Sequence, residues 1–180
     1  MAVVCVFCAS SRKLDARWLD LAREVGTALG RHGHHLLSGG GCVGMMGTLA
    51  DGARAAGAHT LGVIPQVLVD LEVADTAADE LVITDGMAAR KIVMIERADA
   101  FLVLPGGLGT LDELFEVWTT ATLGLHAKPV LLLDVDGFYT GLVEWLRGLA
   151  TQRFLHPRAL ATVQIARSVG EALDAIDGFG

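Results

Sequence analysis

The chain has 180 residues, 52% of them hydrophobic and 19% charged, with a net charge of -7. This length suits one domain spanning residues 1–180 with a substantial core, and the apolar content excludes disorder. The negative charge excludes a nucleic-acid binder, which needs clustered Lys and Arg, and no apolar run reaches the ~20 residues that span a membrane.

Residues 3–7 form an apolar run short enough for a strand buried on both faces. The start MAVVCVFCASS lacks a basic n-region and reads as this strand, not a signal peptide. Cys5, Cys8 and Cys42 are few and odd in number, which suits a cytoplasmic protein better than a disulfide framework. In extended chain Cys5 and Cys8 point to opposite faces, so they read as small buried residues and not a redox pair. Ser10 and Ser11 follow, placed to bind a ligand or cap the next helix. Trp18, Leu19, Ala22, Val25, Ala28 and Leu29 predict a helix over 15–31, with Gly33 as its stop. A second strand at 35–37 closes on Ser38-Gly39-Gly40-Gly41-Cys42-Val43-Gly44, and a small-residue helix runs to about 56. The glycines either touch a ligand, Gly40 and Gly41 foremost, or let helix and strand pack closely.

A third strand is expected at 60–64, a long loop at 66–79, a fourth strand at 81–84 and a helix at 87–97 carrying Arg90 and Lys91. The fifth strand, 100–104, runs into Pro105-Gly106-Gly107-Leu108-Gly109-Thr110-Leu111-Asp112-Glu113 and a helix to about 123. Further elements are a strand at 130–133, a helix at 138–151 with Leu142, Trp145, Leu146 and Leu149 inward, a strand at 163–166 and a helix at 169–176. Short apolar strands alternating with helices predict an α/β fold, a Rossmann-like doubly wound parallel sheet with helices on both faces. Ligands in such sheets bind beyond the carboxyl ends of the strands, so both glycine turns can share one crevice.

The second glycine turn carries the chemistry. N–H groups at a helix start are unpaired and sit at the positive end of its dipole, which makes an anion site. Three glycines in four residues let a phosphate approach the chain. Thr110 is placed to cap the helix, and Thr110-x-x-Glu113 is also a capping box, so Glu113 is either a cap or a functional carboxylate. Gly39-x-Gly41-x-x-Gly44 matches the dinucleotide fingerprint without the acidic residue that should follow. Met45 stands where a P-loop requires lysine. His32, His34 and His35 lack metal-ligand spacing, so no metal is expected.

Pro105-Gly106-Gly107-Leu108-Gly109-Thr110-x-x-Glu113, with Met87-x-x-Arg90-Lys91 and Gly39-Gly40-Gly41-x-x-Gly44-x-Met46-Gly47, resembles the Lonely Guy (LOG) family of cytokinin riboside 5'-monophosphate phosphoribohydrolases. The likeness extends through Gly62-Val63-Ile64-Pro65, Leu123-Gly124-x-His126-x-Lys128-Pro129 and Asp136-Gly137-Phe138-Tyr139. It implies hydrolysis of the N-glycosidic bond of an adenosine 5'-monophosphate, often N6-prenylated, without metal or redox cofactor. It implies Arg90 and Glu113 as the catalytic pair, and Gly106, Gly107, Leu108, Gly109 and Thr110 as the phosphate loop. Lys91 and Glu72 would be substrate-binding residues, and the protein at least a homodimer; the apolar and aromatic positions of the helix 114–123 serve either that contact or ordinary core packing. Ala88, Ala89, Ala9 and Ser38 depart from the family's usual residues at positions that can shape the base pocket. The label lysine decarboxylase, attached to some relatives, needs a Schiff-base lysine, and Lys91 alone lies beside the expected site. The rival from another class is a non-catalytic nucleotide sensor or carrier, such as the molybdenum-cofactor carriers.

Overall fold

The computed structural model describes residues 1–71 and 73–179. Among them the chain order is β1 (Val3–Phe7), α1 (Ala16–Arg31), β2 (His35–Ser38), α2 (Gly44–Ala55), β3 (Thr60–Pro65), α3 (Gln66–Val69), β4 (Glu80–Thr84) and α4 (Met87–Arg97). There follow β5 (Ala100–Val103), α5 (Leu108–Thr122), β6 (Val130–Leu133), α6 (Thr140–Thr151), α7 (Pro157–Leu160), β7 (Val163–Ala166) and α8 (Val169–Asp177). The strands form one parallel sheet in the order β4-β3-β2-β1-β5-β6-β7. The chain moves outward from β1 to β4, then returns to lay β5 on the other side of β1. The turns after β1 and β5 therefore leave toward opposite faces, and a crevice opens between them.

Side-chain alternation divides the interior into two layers. Val4, Val6, Leu102 and Leu131 pack beneath α1, α2 and α8, whereas Cys5, Phe7, Phe101 and Leu132 pack beneath α4, α5 and α6. Cys5 and Cys8 fall in different layers and both are buried, as extended chain requires. Both faces of the central strands are covered, which is why they read as continuous apolar runs. Burial of a Leu or Phe such as Leu102 or Phe101, each 0% exposed, contributes about 1.5–3 kcal/mol.

Asp15 caps α1 through its carboxylate, which accepts from the Arg17 N–H at 3.1 Å. Gly33 and Gly57 take positive φ just beyond the ends of α1 and α2, the usual helix stop.

Three expectations need correction. The segment 66–79 is not a plain loop: α3 follows Pro65 directly, and Ala74 forms an antiparallel bridge with Gly41. In α6 the buried stripe is Val143 and Leu146, and Trp145 is 59% exposed. Thr110 does not cap α5, because that helix begins at Leu108 with Gly107 at its cap position.

Candidate functional site

At the carboxyl end of the sheet a cavity of about 470 Å³ lies between the turns after β1, β2 and β5. That volume suits a small-molecule ligand. Of the residues singled out in the sequence, Ser10, Gly41, Arg90, Gly107, Leu108, Gly109, Thr110 and Glu113 line it.

Arg90 comes from α4 and Glu113 from α5, two helices on the same sheet face. Both are buried, at 5% and 7% exposed. The Arg90 Nη1 stands 3.3 Å from Glu113 Oε1. Its Nε donates to the Val63 carbonyl at 3.0 Å and its Nη2 to the Gly39 carbonyl at 3.2 Å. Three of the five guanidinium N–H groups are directed at Glu113 and at the ends of β2 and β3, so Arg90 is fixed beside Glu113. A side chain at Gly39 would overlap this guanidinium. Glu113 therefore does not close a capping box; its carboxylate is drawn to Arg90, a contact between residues 23 positions apart in sequence.

Burial is the main influence on Glu113 and pushes its carboxyl from 4.5 to about 7, with Arg90 opposing and Asp112 assisting. A carboxyl in this range exchanges protons readily near neutral pH. Cys8, which also lines the cavity, is held as a neutral thiol by burial and by the adjacent Glu113.

The glycine turn after β5 brings the start of α5 to the cavity. No side chain caps α5, so its first N–H groups have no intrahelical partner. Residues 107–110 present this end to the cavity. Gly106 lies behind them, and a side chain there would overlap Thr110. Gly40 is also behind the wall, with φ of 70° and its carbonyl accepting from the Asp75 N–H at 2.8 Å.

Lys91 is elsewhere. Its ammonium is held between Asp112 and Glu116, at 3.1 and 3.0 Å, and does not reach the cavity. Consecutive helical residues diverge by about 100°, so Arg90 and Lys91 cannot both face one pocket. Lys91 instead braces α4 against α5, and the acids that hold it, Glu116 first, raise its pKa. Lys13 is exposed, and Lys128 donates to the Ile95 and Glu96 carbonyls. The cavity lining among the described residues contains no lysine. Glu72 lies outside the described residues.

The residues not foreseen form the apolar wall: Met46, Ile64, Leu68, Leu71, Val73 and Met87. Val73 is set by its carbonyl, which accepts from the Cys42 N–H at 2.8 Å, and by Asp75, which pairs with Arg54 at 2.7 Å. Met46 and Met87 stand inside the quoted motifs, which was the available signal. Leu68, Leu71 and Val73 carry no periodic signal.

One further cluster joins His32, His34 and Asp177 at the opposite end of the sheet. The Ala2 N–H donates to His34 Nδ1 at 3.2 Å, which puts the proton on Nε2. That proton points at Asp177 Oδ1, 2.9 Å away. The atom a metal would require is thus a hydrogen-bond donor, and the cluster ties α8 to the end of α1.

Fold and site together define a class: a Rossmann-like α/β protein with an uncapped helix start and a buried carboxylate–guanidinium pair in one crevice. A family model described as "Possible lysine decarboxylase" matches residues 46–176. A Mycobacterium tuberculosis protein named cytokinin riboside 5'-monophosphate phosphoribohydrolase is 48% identical over 172 residues, covering 96% of this chain and 91% of the relative. LOG1 of Arabidopsis thaliana, of the same name, is 38% identical and covers 98% of this chain and 83% of its own length. The chain belongs to the Lonely Guy (LOG) family. The molybdenum cofactor binding protein of Rippkaea orientalis superposes with a TM-score of 0.73 at 24% identity, over 98% of this chain and 96% of that one; this likeness is one of fold.

Proposed function

We propose that the protein hydrolyses the N-glycosidic bond of adenosine 5'-monophosphates, including N6-substituted ones, to release the free base and ribose 5-phosphate. The observation that carries this reading is the Arg90–Glu113 pair, buried beside an uncapped helix start in a cavity of nucleotide size. The N–H groups of 107–110 receive the phosphate. The apolar wall of Met46, Ile64, Leu68, Leu71, Val73 and Met87 receives the base and any prenyl group on it. Ribose then lies over Glu113.

Cleavage of the C1'–N9 bond leaves its electrons on the base and positive charge on the ribose, by analogy with glycoside hydrolysis. The Glu113 carboxylate stabilises that charge and accepts a proton from the water whose hydroxyl adds to C1'; the departing base takes up one proton from solvent and Glu113 returns its own to solvent, which balances the hydrolysis. Arg90 keeps Glu113 in its working position. Lys91 acts at a distance as a brace between helices. No metal or redox group is needed for this sequence of bond changes.

The test is chromatographic analysis of products from AMP, isopentenyl-AMP and adenosine. Free base from both nucleotides is expected, at rates far above that from adenosine, because binding of the remote phosphate positions the sugar. Equal cleavage of AMP and adenosine would remove the role given to 107–110. Binding of AMP with no release of base would favour a carrier or sensor, which has no use for a carboxylate at the position of Glu113.

The same reading makes the protein a homodimer of the cytoplasm. Its three free cysteines suit a reducing compartment. Phe115 on α5 and Leu123 directly after it are exposed and line an apolar groove with Leu146 and Leu155, the kind of surface that pairs. Light scattering on a size-exclusion column is expected to give twice the chain mass; a monomer mass rules the dimer out.

A further inference from the structure

Asp134, directly after β6, opens a turn built around one side chain. Asp136 and Gly137 both take left-handed backbone, with φ of 56° and 71°; for a residue other than Gly this is uncommon, and Asp tolerates it better than most. Asp134 clamps the exit of the turn. Its Oδ1 accepts from the Tyr139 N–H at 2.6 Å and its Oδ2 from the Thr140 hydroxyl at 3.1 Å. Phe138 packs edge-on against Trp18 and Tyr139, with ring centroids 5.5 and 4.8 Å away.

What this turn delivers is the hydroxyl of Tyr139, the single tyrosine of the chain. The side chain is 2% exposed, and its hydroxyl donates to the Leu104 carbonyl at 2.7 Å. The Leu104 N–H is itself bonded to the Phe7 carbonyl at 2.9 Å. Both polar backbone groups of Leu104 are therefore held, one by β1 and the other by Tyr139. Leu104 is the last residue before Pro105, Gly106 and Gly107. Pro105 has no N–H to anchor the turn, and Gly106 and Gly107 have no side chains to do so.

We propose that Tyr139 is a positioning residue for the phosphate loop: its bond to Leu104 sets the direction in which the chain leaves β5 and so aims the start of α5 at the ligand's phosphate. This rests on the reading of that helix start as the 5'-phosphate site. Tyr139 does not line the cavity, and its effect passes wholly through the loop. A ligand without a phosphate should be indifferent to it.

The test is calorimetric binding of AMP and of adenosine to the full chain carrying Glu113→Gln, which binds AMP without turning it over, with and without Tyr139→Phe. Loss of one hydrogen bond that orients the loop is expected to weaken AMP about tenfold, with adenosine affinity unchanged. If both affinities fall together, or neither changes, the proposal is overturned, since a merely structural role leaves their ratio intact. Asp134→Asn, which weakens the clamp on the Tyr139 N–H, should shift the ratio the same way and keeps the test alive if Tyr139→Phe fails to fold. Wild-type protein that binds AMP more tightly than adenosine yet releases no base overturns the hydrolase reading and leaves this one standing. A Glu113→Gln chain that does not prefer AMP overturns the phosphate site and the role of Tyr139 with it.

Discussion

Glu113→Gln is expected to lower turnover about 10⁴-fold, to leave nucleotide affinity nearly unchanged, and to make the protein more stable at alkaline pH. The first effect follows from geometry: Glu113 is the only carboxylate lining the cavity among the described residues. An amide of the same shape can neither take a proton from water nor balance a developing positive charge. The stability effect follows from the raised pKa. A carboxyl whose folded-state value exceeds its unfolded value supports folding fully below the unfolded value and loses that support as pH rises through the folded one. Here the window runs from 4.5 to about 7, and a difference of that size corresponds to roughly 3 kcal/mol. Gln imitates the neutral carboxyl at every pH. The variant should therefore melt roughly 5–10 °C above wild type at pH 8, with the gap closing toward pH 4.5. Chromatography of released base and paired thermal melts at the two pH values are sufficient. A variant that keeps a tenth of wild-type turnover puts the chemistry elsewhere. One that melts no higher at pH 8 denies that the site holds a destabilised charge.

A buried acid that costs stability is a common mark of a functional site, and only part of this one could be read along the chain. The strands were legible because both faces of the sheet are covered, which leaves runs such as 100–103 apolar without interruption. Helix ends were legible where a single residue decides them, as Asp15 and Gly33 do for α1. Thr110 and Glu113 were ambiguous because a T-x-x-E pattern looks the same whether the helix starts at Thr110 or two residues earlier; Arg90, on another helix, decides the outcome. The place of Lys91 follows from helix rotation once Arg90 is known to face inward. In α6 the apolar arc of Leu142, Val143, Trp145, Leu146 and Leu149 is too wide to show its centre, and Trp145 falls at its exposed edge. Part of the apolar wall was illegible for a different reason. Leu68, Leu71 and Val73 come from an aperiodic segment whose path is set by distant partners, Cys42 through its N–H and Arg54 through Asp75.

Arg90→Met is expected to move the pH dependence of the reaction and to destabilise the protein by roughly 2–6 kcal/mol, about 1–3 kcal/mol for each of two buried carbonyls left without a donor. Wild-type turnover should rise with pH through about 7, because the ionised form of Glu113 is the active one and its pKa lies there. The Arg90 guanidinium opposes the effect of burial on that pKa. Without it the carboxyl stays protonated to higher pH, and the rise should move alkaline by about one pH unit or more. Arg90→Met should thus be nearly inactive at pH 7 and recover in part at pH 9. The thermal loss has a separate origin, since the Val63 and Gly39 carbonyls lose their shared donor. Arg90→Lys separates the two contributions: a single ammonium restores charge beside Glu113 but cannot span three acceptors. It should return the rise in rate toward pH 7 while leaving turnover below wild type. If Arg90→Met is slower at every pH and its profile does not move, Arg90 acts on the substrate directly, and its role as the holder of Glu113 is wrong.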